Sequence, residues 1–408
     1  MNNNYFAFFG LWLLVLAVAV GATGCRQTAV SPPPSPPSPT PTLLPTDLMG
    51  PQPVEQLFPS PAYGMHTFLW WRPDIAQRDL QLVQAMGFSW VKQKFSWRDI
   101  EGAVKGQYDW YRPDLIVELT EAAGLELVIR LDQQPLWSVE TLPPEQITAH
   151  QPPVDYQDFG DFCGAVADRF QGRIAAYQVW NEPNLSREWG EQSPDPVAYT
   201  ELLRVCYEAI KTADPQAIVI SAGLAPTGTQ PPLAMPNMDF LQGMYDAGAA
   251  AYFDVLGVHA PGYSAPPDLP PGDAEVPVYG GGRWFAFRHV EDMRAIMVAN
   301  GDGHKQVAIL EMGWITDEDR GVVDGRSLQE FHESYAWHAV DEQTQADYLV
   351  GAYQYAREHW QPWIGLMATI YIADYDWTPE QHEQWWWAIV LPDGTPRAAY
   401  QALSEMEK

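Results

Sequence analysis

Two glutamates stand where an apolar run of the sequence ends, a place where a carboxyl group can face a binding site. The apolar run 177–180 leads into Glu182 and Pro183, and the run 307–310 leads into Glu311. Because proline has no N–H group for a strand ladder, Pro183 ends the first run directly after Glu182. Two carboxyl groups in one site can share a reaction, one as an acid–base group and the other as a nucleophile.

The elements that would position these glutamates alternate along the chain from residue 63 onward. Apolar runs of β type are followed by helical patterns, which predicts βα units and a parallel sheet. The predicted strands are Tyr63–Leu69, Ser89–Lys94, Leu125–Asp132, Ala175–Trp180, Ala217–Ser221, Phe253–His259, Gln306–Glu311 and Ile364–Tyr371. The predicted helices are Ile75–Met86, Pro113–Ala123, Tyr156–Phe170, Pro196–Thr212, Met238–Ala247, Val290–Asn300, Thr344–Glu358 and Arg397–Glu405.

This alternation favours a closed (β/α)₈ TIM barrel over an open doubly wound sheet, which usually carries a glycine-rich phosphate turn that this sequence lacks. Loops after the strands build the active-site face of such a barrel. By strand count, Glu182 ends the fourth strand and Glu311 the seventh. The long connections Ala260–Phe287 and Trp314–Asp341 follow strands six and seven and are predicted to shape that face. Both contain aromatic residues, namely Tyr263, Trp284, Phe285, Phe287, Tyr335 and Trp337.

Both glutamate segments resemble motifs of one enzyme clan. The residues Trp180–Pro183 read Trp-Asn-Glu-Pro and resemble the Asn-Glu-Pro motif of the barrel-type retaining glycosidases that include families 5 and 39. The segment Glu311–Trp314 resembles the context in which that clan places its nucleophile. The resemblance covers roughly residues 60–405. It implies that Glu182 is the acid/base, that Glu311 is the nucleophile and that Asn181 contacts the sugar 2-hydroxyl.

The implied reaction explains why two carboxyl groups are needed. Glu182 would protonate the leaving oxygen while Glu311 attacks the anomeric carbon, and water would then hydrolyse the glycosyl-enzyme with Glu182 as base. The retaining geometry requires carboxyl groups about 5–5.5 Å apart. The negative charge of Glu311 is expected to raise the pKa of Glu182 in the free enzyme.

Further residues at or just after the strand ends are predicted to contact the sugar. They are His66, Lys92, Asp132, Trp137, His259, Tyr263, Trp314, Tyr371 and Trp377. For His66 and His259 the alternative is a purely structural role. For the third strand there are two interpretations: Asp132 and Trp137 line a subsite, or Arg130 forms a buried ion pair within the barrel. The tryptophans at 385–387 are expected to pack within the fold rather than to form a sugar subsite.

One departure from the clan concerns the second strand. The clan usually carries an arginine there that holds the nucleophile, whereas Trp90–Lys94 contains none. Lys92 or Lys94 could supply the charge but not the bidentate fork of a guanidinium group. The family and the substrate therefore stay open at this point.

Composition narrows the classes of partner. With 23 Lys and Arg residues against 52 Asp and Glu, the formal net charge is −29, which disfavours binding to nucleic acid. The 18 tryptophans suit both a large core and flat stacking platforms for sugars. A carbohydrate substrate is predicted, and the absence of CxxC and HExxH spacings predicts neither a metal nor another cofactor.

The N-terminal region indicates export. Residues 5–23 are almost wholly apolar, and Ala22–Cys25 resembles a bacterial lipobox, although Met1–Asn4 carries no basic residue and Ala22 stands where leucine is usual. We predict a signal with lipidation at Cys25 over residues 1–25, a Pro/Ser/Thr-rich linker over 26–58 and one catalytic domain over 59–408. An uncleaved anchor and plain secretion are the alternatives. All three place the domain outside the cytoplasm, and any membrane contact is expected only through an N-terminal anchor.

Two cysteines remain after Cys25. Cys163 and Cys206 fall on two predicted neighbouring helices, and although export permits a disulfide, two buried free thiols are expected.

Two other functions compete with a glycosidase: an inactive sugar-binding barrel and a solute-binding lipoprotein of a transporter. The sequence leaves the sugar, its linkage, exo or endo action and the oligomeric state open.

Overall fold

The structure is a computed structural model that describes residues 53–143, 147–316 and 337–408, together with the short strands Val322–Val323 and Arg326–Ser327. The predicted signal with Cys25, most of the predicted linker, and Tyr335 lie outside the described residues. Within the described part of the chain, no helix combines the length and the apolar character needed to span a membrane.

Eight parallel strands form the central sheet. They are β1 (Ala62–His66), β2 (Trp90–Ser96), β3 (Glu126–Asp132), β4 (Ala176–Val179), β5 (Ile218–Ile220), β6 (Leu256–His259), β7 (Val307–Met312) and β8 (Ile364–Thr369). Their order is β5-β4-β3-β2-β1-β8-β7-β6. Single parallel bridges from Ile220 to Val255 and from Leu224 to Val258 connect the β5 and β6 edges. The sheet thus closes into the predicted (β/α)₈ barrel.

A long helix follows each strand. The helices are α1 (Pro73–Ala85), α2 (Tyr111–Ala122), α3 (Tyr156–Arg169), α4 (Pro196–Ala213), α5 (Asn237–Asp246), α6 (Val290–Ala299), α7 (Glu342–His359) and α8 (Ala398–Glu405). Each overlaps a predicted helix, as each strand overlaps a predicted strand. Local sequence sets several starts: Asp195 caps α4 by accepting from the N–H groups of Val197 and Ala198, and Pro196 fits the first turn because it needs no donor there.

The core has two layers, as the alternation of side chains on barrel strands requires. One layer fills the barrel, and its buried members are Phe58, Ala62, Trp90, Val128, Ala176, Ile220, Val255, Ala308, Leu310 and Leu366. The other lies between strands and helices. Phe58 is 1% exposed, and its N–H donates to Gln306 Oε1 at 2.9 Å, so packing against the barrel begins at a residue that the sequence assigned to the linker.

The expectation of two free thiols is wrong, because Cys163 of α3 and Cys206 of α4 form a disulfide. Their Cα atoms are 5.4 Å apart, a separation that suits such a bond. Small residues permit this approach: a Cβ at Gly160 would lie 3.1 Å from the backbone oxygen of Val205. The sequence placed the cysteines on neighbouring helices but did not indicate how closely these helices pack.

The architecture also bears on the alternative functions. A solute-binding protein of a transporter would have two α/β lobes, whereas residues 53–143, 147–316 and 337–408 build one barrel with its surrounding helices. The fold therefore gives no support to the solute-binding alternative.

Candidate active site

A cavity of about 930 Å³ opens at the carboxyl ends of the barrel strands. Such a position is the usual active-site face of a (β/α)₈ barrel. Four carboxylates line it, namely Glu182, Glu188, Glu311 and Glu383. Three basic residues, Lys94, Arg130 and Arg187, line the same cavity. The two glutamates singled out from the sequence are therefore brought together, with further charges around them.

The backbone after β4 turns sharply to present Glu182. Trp180 and Glu182 have φ angles of +69° and +42°, a left-handed conformation that is uncommon for residues other than glycine. The turn is held on both sides: the N–H of Glu182 donates to Gly223 O at 3.1 Å, and Trp180 Nε1 donates to Glu188 O at 2.9 Å. A buried tryptophan thus anchors the segment that aims the Glu182 carboxyl group into the cavity.

A β-bulge in β7 decides the direction of Glu311. Ala308 and Leu310 both pack inside the barrel, so simple alternation would turn Glu311 outward. Instead the register shifts: Val258 of β6 stands opposite Ile309, and the next residue, His259, stands opposite Glu311. The extra β7 residue bends the strand and rotates the Glu311 side chain into the cavity.

One histidine joins the two carboxyl groups. His259 Nδ1 lies 2.8 Å from Glu182 Oε1 and 3.9 Å from Glu311 Oε2. The two oxygens are therefore less than about 7 Å apart, which is compatible with the separation of retaining glycosidases. The His259 side chain is 2% exposed, and a Cβ at Gly223 would run into its ring, so the imidazole has little room to move.

Buried cations surround Glu311. Lys92 Nζ donates to Glu311 Oε1 at 3.0 Å and to Leu310 O at 3.1 Å, and Arg130 Nη1 lies 3.6 Å from the same carboxylate oxygen. Burial alone would raise the pKa of Glu311, but the charge of Lys92, with those of His259 and Arg130, outweighs it and holds the pKa well below its usual range. Lys92, rather than Lys94, therefore supplies the positive charge in contact with Glu311.

His66 completes the surroundings of Glu311 without adding a charge. Its Nδ1 lies 3.6 Å from Glu311 Oε1, beyond a short hydrogen bond. Burial, followed by the nearby charge of Lys92, holds the pKa of His66 well below its usual value, so the ring is neutral near pH 7. The dominant cation on Glu311 is therefore Lys92.

The surroundings of Glu182 correct one expectation. Glu311 does act to raise the pKa of Glu182, as predicted, and burial acts in the same direction more strongly. The hydrogen bond and charge of His259 and the charge of Arg187 outweigh both, so the net pKa is lowered. Arg187 Nη2 lies 3.3 Å from Glu182 Oε2, the oxygen that does not contact His259.

Glu188 and Arg187 are cavity residues that the sequence reasoning missed. They lie on the short turn Ser186–Glu188, a few residues after the Trp-Asn-Glu-Pro motif. Their closeness to this motif was the only sign in the sequence that they could belong to the site. Glu188 Oε2 lies 3.3 Å from His150 Nδ1. Burial and then the charge of Glu182 raise the pKa of Glu188 above its usual range.

Several predicted substrate-binding residues do line the cavity. They are His66, Asn181, His259, Tyr263, Tyr371 and Trp377. Asn181 Oδ1 accepts from Arg130 Nη1 at 3.1 Å, which fixes the amide next to Glu182. Trp377 packs edge-on against Tyr371 and Phe68, with ring centroids 5.3 and 4.7 Å away. Phe68, which the sequence did not indicate, thus belongs to an aromatic wall with these two residues.

Four predicted substrate-binding residues do not line the cavity. Lys92 is fully buried beneath Glu311, and Trp314 is fully buried with its Nε1 donating to Ala265 O at 2.9 Å. Asp132 is 1% exposed and lies 2.8 Å from Arg130 Nε, so the buried ion pair applies here. Trp137 is half-buried in the loop after β3, and its Nε1 donates to Glu101 O at 3.1 Å. Each of these four side chains has a hydrogen-bond or ion-pair partner within the fold.

The long connections contribute to the cavity as expected. Pro261 and Tyr263 come from the connection after β6, and His338 comes from the one after β7. Tyr263 stacks on Trp337, with ring centroids 6.0 Å apart. Of the three consecutive tryptophans, Trp387 lines the cavity.

Part of the chain matches a known family. Residues 54–243, just under half of the chain, match the family model described as Cellulase (glycosyl hydrolase family 5). The matched segment includes Glu182 and ends before Glu311. No curated protein matches the sequence.

Solved structures share the fold at low sequence identity. A family 39 glycoside hydrolase from the gut symbiont Bacteroides cellulosilyticus WH2 has a TM-score of 0.61 and 19% identity, over 86% of this chain and 64% of that one. A glucosidase from Croceicoccus marinus has a TM-score of 0.57 and 13% identity, over 86% and 68%. GH5_18 from Streptomyces cattleya in complex with GlcNAc has a TM-score of 0.60 and 15% identity, over 86% and 80%.

The chain therefore spans less than two thirds of the length of the family 39 structure. Its sequence and fold resemble the clan of (β/α)₈ glycoside hydrolases, as the two glutamate motifs implied.

Proposed function

We propose that the protein is a retaining glycoside hydrolase in which Glu182 is the acid/base and Glu311 the nucleophile. The observation that carries the proposal is that both strand-end carboxyl groups lie near the same nitrogen, His259 Nδ1. Glu182 Oε1 is 2.8 Å from it and Glu311 Oε2 is 3.9 Å from it. This spacing leaves room for the anomeric carbon between the two groups and is shorter than most of the range found in inverting enzymes, which place an additional water there.

In the first step, Glu311 attacks the anomeric carbon and the bond to the leaving oxygen breaks. Glu311 suits this role because Lys92 and Arg130 keep it ionised. The leaving oxygen takes a proton from Glu182, and Glu311 becomes esterified to the sugar. The cations that faced the free carboxylate also stabilise the charge that remains on the ester oxygens in the transition state.

In the second step, Glu182 acts as a base. Its carboxylate takes a proton from a water molecule, the water oxygen attacks the anomeric carbon, and the bond to Glu311 breaks. The contact with His259 favours the carboxylate form that this step needs. Two inversions at one carbon return the original configuration.

We further propose an oligosaccharide or polysaccharide substrate of plant or microbial origin. A cavity of about 930 Å³ is large enough for more than one sugar unit. The aromatic wall of Phe68, Tyr371 and Trp377 offers flat apolar faces of the kind on which sugar rings stack. Among the structures with the same fold, one is named a glucosidase and one was solved with GlcNAc.

Product stereochemistry tests the mechanism. A panel of nitrophenyl glycosides and polysaccharides would identify a substrate, and proton NMR of the reaction would then follow the anomer released first. We expect the anomer of the substrate to appear before mutarotation. A 2-fluoro glycoside of the same sugar should add its mass to the peptide that contains Glu311. Release of the opposite anomer would refute the double displacement.

The inactive sugar-binding barrel is the competing function. It predicts measurable affinity for an oligosaccharide by calorimetry together with no turnover of any glycoside in the panel. Both carboxyl groups and the cations that ionise one of them are present, which argues for catalysis.

We also propose that the protein is exported and tethered to the outer face of a bacterial membrane through lipidated Cys25. The support is the apolar segment 5–23, the lipobox-like Ala22–Cys25 and the proline-rich segment behind them. Metabolic labelling with a clickable fatty acid should mark the full chain and not a Cys25→Ser variant. Equal labelling of both proteins would contradict lipidation at this residue.

A further inference from the structure

Arg187 occupies the outer side of the Glu182 carboxyl group. Its Nη2 lies 3.3 Å from Glu182 Oε2, and its Nε lies 3.8 Å from Glu188 Oε1. The Arg187 side chain is 67% exposed, against 15% for Glu182. The inner oxygen, Glu182 Oε1, is already engaged with His259. The only oxygen of Glu182 left for a ligand is therefore the one that Arg187 covers.

The proposed first step conflicts with this arrangement. Glu182 must carry a proton to act as an acid, yet an adjacent guanidinium group favours the carboxylate. His259 is held among the barrel walls and has little room to leave. Arg187 is mostly in solvent, on a short turn, and an exposed ion pair of this kind contributes little to stability. Of the two groups that keep Glu182 ionised, Arg187 is the one that can move.

We propose that Arg187 is a positioning residue that holds Glu182 as a carboxylate in the empty site and is displaced by the leaving group of the substrate. The leaving oxygen must approach Glu182 Oε2, which places the aglycone where the guanidinium group lies. With Arg187 displaced, Glu182 takes up a proton from solvent and becomes the acid. This inference rests on the proposed function, because it assigns a role within the same reaction.

Two of the groups that remain around Glu182 act in the required direction. The charged or titratable groups that face it are His259, Glu311, Lys92, Glu188, Tyr263 and Tyr371. The carboxyl groups of Glu311 and Glu188 oppose a negative charge on Glu182, whereas His259 and Lys92 favour it. When Arg187 leaves, the balance therefore shifts toward the protonated form. Once the aglycone has departed, Arg187 can return and favour the carboxylate that serves as base in the second step.

The pH dependence of Arg187→Gln tests this role. The profile of kcat/KM reports ionisation in the free enzyme, whereas that of kcat reports ionisation in the substrate complex. Without Arg187, the pKa of Glu182 in the free enzyme rises, so the alkaline limb of kcat/KM should move up by about half a pH unit to one unit. The alkaline limb of kcat should stay in place, because Arg187 is already displaced in the complex.

The substrate for this test should be an unactivated glycoside, such as a disaccharide, so that the step needing the acid limits kcat. Arg187→Lys keeps a cation on a flexible chain and should restore much of the wild-type profile. Arg169→Gln is the matched control: Arg169 is 40% exposed and pairs with Asp114 at 2.6 Å, outside the cavity lining. It should leave both limbs unchanged.

Distinct outcomes would overturn the proposal. An equal shift of both limbs would mean that Arg187 stays on Glu182 in the complex, and no shift in either would mean that it does not govern Glu182. Infrared titration of the Glu182 carboxylate, assigned by its loss in Glu182→Gln, measures the same pKa without turnover. An unchanged carboxylate pKa in Arg187→Gln refutes the inference. Absence of turnover in the wild type would instead refute the proposed function.

Discussion

Glu182 and Glu311 are the same residue type on the same face of the barrel and contact the same histidine, but their surroundings differ. The cation that touches Glu311, Lys92, has a side chain with no solvent exposure and is fixed by a second bond to Leu310 O. The cation that touches Glu182 is Arg187, whose side chain is two thirds exposed. A counter-charge fixed in position suits a group that must always start ionised, whereas a removable one suits a group that must change its protonation within each cycle.

Removal of the Glu311 carboxyl group should have the largest effect. Glu311→Ala eliminates the nucleophile, and turnover should fall by on the order of 10⁴-fold or more. Circular dichroism should be unchanged, because the side chain faces a cavity. Glu126→Ala is the control: Glu126 is the first residue of β3, at the end of the barrel away from the cavity, and its replacement should keep full activity. Full activity in Glu311→Ala would refute the assignment of the nucleophile.

Loss of the Glu182 carboxyl group should slow the reaction less and in a way that depends on the substrate. Glu182→Ala should lose about 10²–10⁴-fold on unactivated glycosides, since proton donation is lost, and much less on activated nitrophenyl glycosides. Azide, entering the vacated space, should accelerate release of the sugar in Glu182→Ala. The same azide effect in Glu311→Ala, with the same product configuration, would erase the distinction between the two glutamates.

Loss of the buried cation should alter Glu311 while leaving Glu182 able to act. Lys92→Met keeps the length of the chain but removes the charge that lowers the pKa of Glu311. Because Glu311 must be ionised to attack, the acidic limb of kcat/KM should move to higher pH, by about one unit or more. The free energy of unfolding should fall by about 3 kcal/mol, since a buried carboxylate loses its partner.

Lys94→Met is the matched control for Lys92→Met. Lys94 lies on the same face of β2 and lines the cavity, but within the described residues it forms no hydrogen bond or ion pair with Glu311. Its replacement should leave the acidic limb in place. A shift of equal size in both variants would show that general field effects, rather than the Lys92 contact, ionise Glu311.

Removal of the disulfide should lower stability and leave the ionisation of the two glutamates unchanged. Cys163→Ala with Cys206→Ala opens a loop with a sequence separation of 43, which should cost about 4 kcal/mol of unfolding free energy. Urea unfolding followed by tryptophan fluorescence would measure this loss. Both limbs of the pH profile should match the wild type at temperatures where the variant is folded. A shifted limb would mean that helices α3 and α4 influence the site.

Much of the fold followed from local patterns, and less of the site did. The alternation of apolar runs with amphipathic segments predicted all eight strands and the helices after them, because each element carries its own period. Residues predicted to meet substrate from their position near a strand end divided into two groups. Asn181 and Tyr371 line the cavity, whereas Trp314 is buried against Ala265 of a distant loop and Asp132 pairs with Arg130 of its own strand.

The sequence by itself determined that two glutamates end strands four and seven of a barrel, because Pro183 stops one strand and the apolar runs mark both. Only the tertiary structure decided what surrounds them. The bulge that turns Glu311 inward depends on register with β6, and the partner of Glu311 is a lysine from β2. Register and cross-barrel contacts join residues far apart along the chain, and no local pattern encodes them. The different surroundings of Glu182 and Glu311 therefore come from packing.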